Sequence, residues 1–307
     1  MNWSVDGVKS VLDKYSSEHR RLVQTNILSS ALQLEDLFTQ GSCPMLEVGH
    51  QTEVTLTRDQ VRCLLSHMLL CTLVPMDCHK YWVSLQPWIT STNNPSQAYL
   101  TCLFHYFSQV DHNHDTFIKM QRLVVDNPPS LTQWRHSNTN LVSFEVVCPS
   151  YIGKQDCQEV EVDFANKDVG YGPGGTQEEI LFGMTPEACP AVLLSPTLGD
   201  NECLLITGVR RMGLWTGYGW DVHHSGHGDG SSRNILCMDA LELEDDISDK
   251  NQAGGQLLRR ELGKCFTGFC GVKDRIVATG AWGCGAFGGD KEVKFGRFQF
   301  QLLNELI

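Results

Sequence analysis

The sequence lacks any apolar run of the roughly eighteen residues that a helix needs to cross a bilayer. It has no Cys-x-x-Cys pair, which argues against a zinc ribbon or a thioredoxin-like redox site. The Walker and dinucleotide-binding fingerprints are missing as well, so neither NTP hydrolysis nor hydride transfer is supported. The first residues have neither the basic start nor the apolar core of a secretion signal. We therefore expect a soluble protein that is not associated with membranes.

Positive charge is also scarce. The 24 Lys and Arg residues are outnumbered by 36 Asp and Glu residues, and the net charge is −12. Direct nucleic-acid binding, which normally needs a basic face, is therefore not expected. The 13 cysteines cannot all pair internally because their number is odd. Reduced thiols and a cytoplasmic or nuclear location are the expectation.

Residues 1–138 are predicted to form a mainly helical region. Helical stretches are expected at 8–22, 26–38, 56–74 and about 95–109. The third of these has Thr57 as its expected N-cap. The fourth should turn one apolar stripe inward, composed of Tyr99, Leu100, Leu103, Phe104 and Phe107.

The pattern changes near residue 140, and residues 139–307 predict an α/β domain with a mixed sheet flanked by helices. Short apolar runs predict strands at 141–147, 159–164, 191–194, 203–207, 235–241 and 275–279. Helices are expected at 178–184, 256–269 and 295–307, and a solvated acidic loop at 242–246. Ligand loops should lie at the carboxyl ends of the strands.

One segment of this domain, residues 162–179, carries the clearest chemical pattern, VDFANKDVGYGPGGTQEE. It predicts a strand, a glycine-rich loop and a helix that opens with two carboxylates. Glycines allow backbone amides to approach a phosphate, and a helix N-terminus adds partial positive charge. The phosphate cradle would use Gly170, Gly172, Gly174 and Gly175. A cradle beside a carboxylate suggests glycosidic chemistry on a nucleotide sugar.

This segment resembles the signature of the poly(ADP-ribose) glycohydrolases, and three further matches follow in the family's order. They are TGY at 216–218, MDAL at 238–241 followed by RREL at 259–262, and ATGAWGCGAFGGD at 278–290. The resemblance covers roughly residues 55–290. It implies a macrodomain-like catalytic domain with an N-terminal helical accessory region, and hydrolysis of ribose–ribose bonds to release ADP-ribose.

The resemblance assigns roles to the residues of the first motif. Glu179 would be the catalytic general acid and base, and burial would raise its pKa. Glu178 would bind ribose hydroxyls. Asp163 and Asn166 would contact the terminal ribose or support the catalytic glutamate, and Gln177 would touch the substrate.

The later motifs complete the implied substrate site. Tyr218 would stack on the adenine. A second backbone nest over the diphosphate would be formed by Gly283, Cys284, Gly285, Ala286 and Phe287. No metal and no cofactor is implied. The implied partners are poly(ADP-ribose) and ADP-ribosylated proteins, for a monomer acting in the DNA damage response.

Each of these residues also has a purely structural interpretation. The glutamate pair suits any first helical turn, Asp163 and Asn166 could cap a turn, and Gln177 could be a helix N-cap. Tyr218 could be a core tyrosine. Three histidines, His223, His224 and His227, lie among Gly and Ser and predict a solvent loop near the adenine site rather than a metal site.

The sequence also departs from the family pattern. The first glycine cluster is Gly-Tyr-Gly rather than three glycines, its spacer to Gln177 is short, and Ala281 stands where many relatives have asparagine. We expect the chain to be shortened at its C-terminus and to lack the sheet's final strand. Two alternative functions are a non-catalytic ADP-ribose-binding module and a mono-ADP-ribosyl-protein hydrolase.

Overall fold

The computed structural model describes residues 4–73, 83–109, 116–137, 145–146, 159–243, 255–292 and 294. Within these ranges a six-stranded mixed sheet has the order β1-β2-β4-β7-β3-β8. Strand β3 is parallel to β7 and β8, while β1/β2, β2/β4 and β4/β7 are antiparallel. The strands are β1 Thr52–Thr57, β2 Phe117–Val124, β3 Glu159–Ala165, β4 Glu202–Arg210, β7 Ser232–Asp239 and β8 Ile276–Ala278. A separate hairpin pairs β5 (Gly213–Thr216) with β6 (His223–His227).

The helices pack on both faces of this sheet. They are α1 Asp6–Leu12, α2 Ser17–Ala31, α3 Leu34–Leu37, α4 Arg58–Leu69, α5 Gln86–Thr90, α6 Asn94–Ser108, α7 Leu131–His136, α8 Gln177–Met184, α9 Ala191–Leu194 and α10 Gly255–Cys270. Short 3₁₀ helices cover Pro186–Ala188 and Gly219–Asp221. No helix in the described ranges has both the length and the apolarity that membrane crossing requires.

Local sequence signals explain the helices of the N-terminal region. Thr57 caps α4 through a reciprocal capping box with Gln60, as predicted. Asn93 caps α6, and the predicted inward stripe of that helix is buried. The stretch 8–22 is two helices rather than one, because the Ser16 side chain accepts a hydrogen bond from His19 N and starts a new helix.

The mainly helical N-terminal region also supplies two strands, which the sequence analysis missed. In β1 the side chains alternate, with Val54 and Leu56 buried and their neighbours turned outward. In β2 the same alternation buries Ile118 and Met120. Since β2 pairs with β4, the sheet crosses the boundary expected at residues 138–139.

Two local predictions in the α/β region are wrong. Residues 191–194 form the short helix α9, because a four-residue apolar run has no periodicity that separates strand from buried helix. His223, His224 and His227 lie in strand β6, paired with β5, and not in a loop. The other strands and helices predicted between residues 159 and 292 are confirmed, whereas the helix expected at 26–38 is divided between α2, which ends at Ala31, and α3. Of the strand expected at 141–147, only residues 145–146 are described, and the helix expected at 295–307 lies outside the described residues.

The sheet is buried on both faces. Alternate residues of β4 point to opposite sides, so that Leu204 and Ile206 join the core beneath the N-terminal helices. Cys203 and Leu205 join a second core, in which α10 contributes Cys265 and Phe269. The two cores fix the sheet between the helical region and α10, and leave the carboxyl ends of β3 and β7 for the loops that follow.

A buried ion-pair network ties the helical region to the sheet. Glu187 is fully buried between Arg58, at the start of α4, and Arg210, at the end of β4. Its Oε1 lies 2.8 Å from Arg210 Nη2, and Arg58 Nη2 donates to the carbonyl of Gly208 at 2.8 Å. A charge inside this network is tolerated only because each partner is satisfied.

Replacing Glu187 with Gln should therefore lower the free energy of unfolding by about 3–5 kcal/mol, since it leaves buried arginine charge without its carboxylate. Urea denaturation followed by circular dichroism measures this change. Asp13→Asn is the matched control, because the Arg20–Asp13 pair is solvent-exposed and should be worth about 1 kcal/mol or less. Equal effects in the two variants would contradict the assigned role of Glu187.

Candidate active site

The candidate site begins where the parallel strands β3 and β7 end side by side, with Ala165 opposite Asp239. The chain leaves β3, passes through the glycine-rich stretch 170–175 (the first glycine loop) and enters α8. The N-cap of α8 is Thr176, so the interpretation of Gln177 as the cap is wrong. This strand–loop–helix arrangement is the one predicted from the sequence.

Gln177, the first residue of α8, is bonded to the strand behind it. Its Oε1 accepts a hydrogen bond from Phe164 N at 2.7 Å, and its Nε2 donates to Val162 O at 3.1 Å. Strand β8 pairs with β3 only at Glu159–Glu161. The Gln177 amide therefore satisfies the backbone of β3 beyond the reach of β8, which is the structural role that its sequence position left open.

Glu178 turns its carboxylate toward the start of the loop. Its Oε2 accepts from Asn166 N at 3.0 Å and its Oε1 from Gly170 N at 2.8 Å. The side chain is buried, and burial, followed by the nearby Asp163, raises the pKa of Glu178 well above its usual value. The fully desolvated carboxyl of the pair is that of Glu178.

Asp163, on β3, is fully buried. Neither carboxyl oxygen makes a hydrogen bond of good geometry within the described residues, although the Cys237 thiol lies near enough to favour the ionised form. Burial nevertheless dominates and raises the pKa of Asp163 to about 8. Asp163 and Glu178 are coupled, so protonating either one makes the other easier to ionise.

Glu179 faces the opposite way, into the first glycine loop. Its Oε2 accepts from Thr176 N at 2.7 Å, while its Oε1 accepts no hydrogen bond from any described residue. The side chain is half-buried. A Cβ added at Gly172 would overlap Oε1, and one added at Gly174 would lie 3.2 Å from Oε2. Gly172 and Gly174, predicted as part of a phosphate cradle, thus leave the space that the Glu179 carboxylate occupies, whereas Gly170 and Gly175 pack against Val192 and Val222.

Asn166 is the first residue after strand β3 and precedes the first glycine loop. Its backbone N–H is held by Glu178, and its side-chain Oδ1 accepts from Asp168 N at 3.0 Å, which closes a short Asx turn. The side chain is half-buried at the edge of the loop. This turn is the structural alternative considered for Asn166. Among the described residues no acceptor is bonded to its amide Nδ2.

Tyr218 follows β5 and is 57% exposed, so the alternative of a core tyrosine is wrong. Its loop is fixed to the first glycine loop by a hydrogen bond from Gly219 N to Gly175 O at 2.8 Å. Gly217 adopts φ +88° beneath the carbonyl of Asp221, a conformation and a spacing that a side chain would disturb. The phenol is thereby presented at the surface beside the first loop.

The second glycine loop, residues 283–289, follows β8. It is closed by a hydrogen bond from Gly289 N to Gly283 O at 2.9 Å and anchored by buried Trp282, whose Nε1 donates to Met238 O at 2.8 Å. In the described part of the chain, no acceptor is bonded to the amides of three consecutive residues, Gly285, Ala286 and Phe287. These three amides are therefore the part of the predicted nest without an acceptor among the described residues.

The two glycine loops and the tyrosine meet at one edge of the sheet. A Cβ added at Gly285 would lie 3.5 Å from the hydroxyl of Tyr218. Cys284 is half-buried and its thiol donates to Trp282 O at 3.5 Å, while burial raises its pKa, so its sulfur is occupied locally. The structure therefore brings together Glu179, Tyr218 and the second loop.

The predicted site omitted two buried residues of the helical region. Trp88 Nε1 donates to Gly172 O at 3.1 Å, and the Tyr99 hydroxyl donates to Glu179 O at 2.7 Å. Their rings stack with centroids 3.7 Å apart. The apolar stripe of α6 predicts that Tyr99 is buried, but no sequence signal shows which backbone group its hydroxyl reaches.

The histidines predicted not to bind metal lie against the helical region. His227 stacks on His105 of α6 with ring centroids 3.8 Å apart, and His224 is 5.3 Å from His227. Burial and the neighbouring His227 lower the pKa of His105 to about 4. Within the described residues no group of three His, Cys, Asp or Glu side chains is arranged to hold a metal ion.

Comparison with known protein families agrees with this arrangement. A family model described as poly(ADP-ribose) glycohydrolase, macro domain fold, matches residues 131–300, which is more than half of the chain. The chain belongs to the poly(ADP-ribose) glycohydrolase family. A second model, the helical domain of the same family, matches residues 17–125. The two matched ranges confirm the helical and macrodomain parts, while the expected boundary at 138–139 stays a prediction.

Three relatives carry names from this family. "Probable poly(ADP-ribose) glycohydrolase 2" of Arabidopsis thaliana is 27% identical, with 64% of this chain and 48% of the relative covered. "Poly(ADP-ribose) glycohydrolase 2" of Caenorhabditis elegans is 28% identical, with coverage of 71% and 53%. "Poly(ADP-ribose) glycohydrolase 1" of Arabidopsis thaliana is 31% identical, with coverage of 44% and 25%. The chain spans about half the length of the first two.

The contact between Gly172 and Glu179 gives one prediction. In Gly172→Ala the new methyl group would displace the Glu179 carboxyl group, so Thr176 N would lose its hydrogen-bond acceptor. We expect an upfield shift of the Thr176 amide proton, measured by ¹⁵N–¹H correlation NMR. Gly226→Ala is the control, because its added Cβ has no neighbour nearer than 3.7 Å. An unchanged Thr176 amide shift in Gly172→Ala would contradict the hydrogen bond from Thr176 N to the Glu179 carboxylate.

The buried Asp163 gives a second prediction, on pH. Its pKa rises from 3.8 to about 8 on folding, so between these values the native carboxyl keeps a proton that the unfolded chain has released. Rising pH therefore weakens the fold across this window. Asp163→Asn should flatten the decline of the thermal midpoint between pH 5 and 8, although Glu178 still contributes. Parallel curves for wild type and variant would contradict the buried titration.

Proposed function

We propose that this chain hydrolyses the ribose–ribose glycosidic bonds of poly(ADP-ribose) and releases ADP-ribose. The observation that carries the proposal is the position of Glu179. One carboxylate oxygen is held by the N-cap amide. The other lies against Gly172 of the first glycine loop and accepts no hydrogen bond from any described residue. Tyr218 and the second glycine loop stand at the same edge.

In this mechanism Glu179 acts first as an acid. It enters the reaction protonated and donates its proton to the oxygen of the leaving ribose as the glycosidic bond breaks. The other ribose develops oxocarbenium character, which the negative diphosphate of the substrate stabilises. The resulting Glu179 carboxylate then accepts a proton from the attacking water, whose oxygen bonds to the anomeric carbon. One carboxyl thus restores itself in each cycle.

Glu178 is unsuited to be the acid, because both its oxygens are engaged by loop amides and its side chain is buried. We assign it the task of holding the loop closed against α8, with any ribose contact secondary. The neighbouring Asp163 acts on Glu178 electrostatically and raises its pKa further. We assign to Asn166 the orientation of a ribose hydroxyl, through an amide that has no acceptor among the described residues.

Substrate binding follows from the same geometry. A chain of net charge −12 gains nothing from general attraction to a polyanion, so local donors must hold the phosphates. The amides of Gly285, Ala286 and Phe287 supply such donors, whereas the first glycine loop is occupied by the Glu179 carboxylate. Tyr218 offers an exposed ring for the adenine. No metal and no cofactor enters the scheme.

The direct test is release of ADP-ribose from purified poly(ADP-ribose), followed by chromatography. Glu179→Gln cannot transfer the proton and should lower the rate by about 10²–10⁴-fold, with binding of ADP-ribose retained. Glu53→Gln, an exposed carboxylate on β1, is the control and should be unaffected. If folded wild-type chain binds ADP-ribose but releases none from the polymer, the chain is a binding module and the hydrolase proposal fails.

The adenine contact has its own test. Tyr218→Ala removes a stacking surface worth about 1–3 kcal/mol, so the affinity for ADP-ribose, measured by isothermal titration calorimetry, should fall by about 5- to 150-fold. Tyr218→Phe keeps the ring and should retain most of the affinity. An unchanged Kd in Tyr218→Ala would remove Tyr218 from the site.

A further inference from the structure

Two side chains of the helical region, Trp88 and Tyr99, make hydrogen bonds to the backbone of the candidate site. Trp88, on α5, is 2% exposed, and its indole N–H bonds to the carbonyl of Gly172 at 3.1 Å. Gly172 is the residue whose α-carbon lies against Glu179 Oε1. The indole therefore holds the backbone that covers the carboxylate.

Tyr99, on α6, makes the second contact. Its hydroxyl bonds to the carbonyl of Glu179 at 2.7 Å, in the first turn of α8. That carbonyl belongs to the same residue as the carboxylate. Trp88 and Tyr99 stack on each other at 3.7 Å with an interplanar angle of 14°, so the two hydrogen bonds share one rigid base.

The stack extends to both sides of the site. Tyr171, inside the first glycine loop, lies 4.7 Å from Trp88 and is 8% exposed. Trp215, on β5, meets Tyr99 edge-on at 4.8 Å. Strand β5 leads directly to Tyr218. These four rings form one aromatic cluster, composed of Trp88, Tyr99, Tyr171 and Trp215. The cluster contacts the first glycine loop and α8, and it includes a residue of β5, the strand that precedes Tyr218.

We propose that Trp88 and Tyr99 are positioning residues of this active site. They fix the first glycine loop against α8 so that the Glu179 carboxylate is held on Thr176 N with its other oxygen toward the substrate. The helical region is then a working part of the site as well as a support for the sheet. The catalytic part of this inference rests on the proposed function.

The spacing at Gly172 explains why small displacements matter. Its backbone sits so close to Glu179 Oε1 that not even a methyl group fits between them. A loop released from the indole can therefore move the reactive oxygen directly. Misplacing a reacting group by about 1 Å costs on the order of 10²-fold in rate, whereas binding through Tyr218 and the second loop would be little affected.

Two conservative variants test the proposal. Trp88→Phe keeps an aromatic ring and removes the indole N–H, and Tyr99→Phe removes only the hydroxyl. We expect kcat for ADP-ribose release, normalised to the ADP-ribose-binding fraction, to fall by about 10- to 100-fold. KM should stay within about twofold, and hydrogen exchange of the Thr176 amide should accelerate severalfold.

The chain offers matched controls for both changes. Trp134 is also a buried tryptophan whose Nε1 donates to a backbone carbonyl, that of Pro129 at 2.6 Å. Tyr106, also on α6, has a buried hydroxyl that makes no hydrogen bond among the described residues. Trp134→Phe and Tyr106→Phe should leave both kcat and Thr176 exchange unchanged.

The outcomes separate this inference from the proposed function. Unchanged kcat and unchanged Thr176 exchange in Trp88→Phe and Tyr99→Phe would overturn the positioning role, as would equal losses in the controls. If the wild-type chain releases no ADP-ribose, the proposed function fails. Thr176 exchange then decides the positioning role alone, which stands if exchange accelerates in the two variants and falls if it does not.

Discussion

Three consecutive side chains that fold back on the segment before them hold this site together. Gln177 bonds to the backbone of β3. Glu178 accepts from the amides of Asn166 and Gly170, and Glu179 accepts from the amide of Thr176, the N-cap that follows the first glycine loop. Neighbouring helical residues point about 100° apart, and here that divergence lets one short turn grip three points of the preceding chain. The two glutamates therefore have different positions. Glu178 holds the start of the loop, and the Glu179 carboxylate lies inside the loop.

The electrostatics of the site follow from this division. A carboxyl buried among backbone amides and beside Asp163 is costly to ionise, and the two buried groups hold their protons to unusually high pH. With these two carboxyls protonated, the candidate site carries less negative charge than its acidic residues would otherwise give it. For the proposed function, the amide dipoles of the second glycine loop then supply the donors that a basic surface would otherwise provide.

Much of this architecture is readable from the sequence, and the failures have physical causes. Glycines and a capping pattern predict the strand, loop and helix at 159–184. Caps and apolar stripes predict α4 and α6. The four residues 191–194 are too few to show a period. β1 and β2 lie among helices, and their partners are distant in the chain. The bonds of Trp88 and Tyr99 to Gly172 and Glu179 arise only from tertiary packing, since 84 and 80 positions separate donor from acceptor.

The origin of β1 and β2 has a consequence for how the molecule can be divided. On one of its two sides, strand β4 pairs only with β2. The pairing runs from Val124 opposite Glu202 to Lys119 opposite Thr207. A fragment starting at the macrodomain match would leave that ladder of N–H and C=O groups open along an apolar strand. Such an edge is a template for pairing with a second chain. The helical segment therefore also covers the edge of β4 that such a fragment would expose.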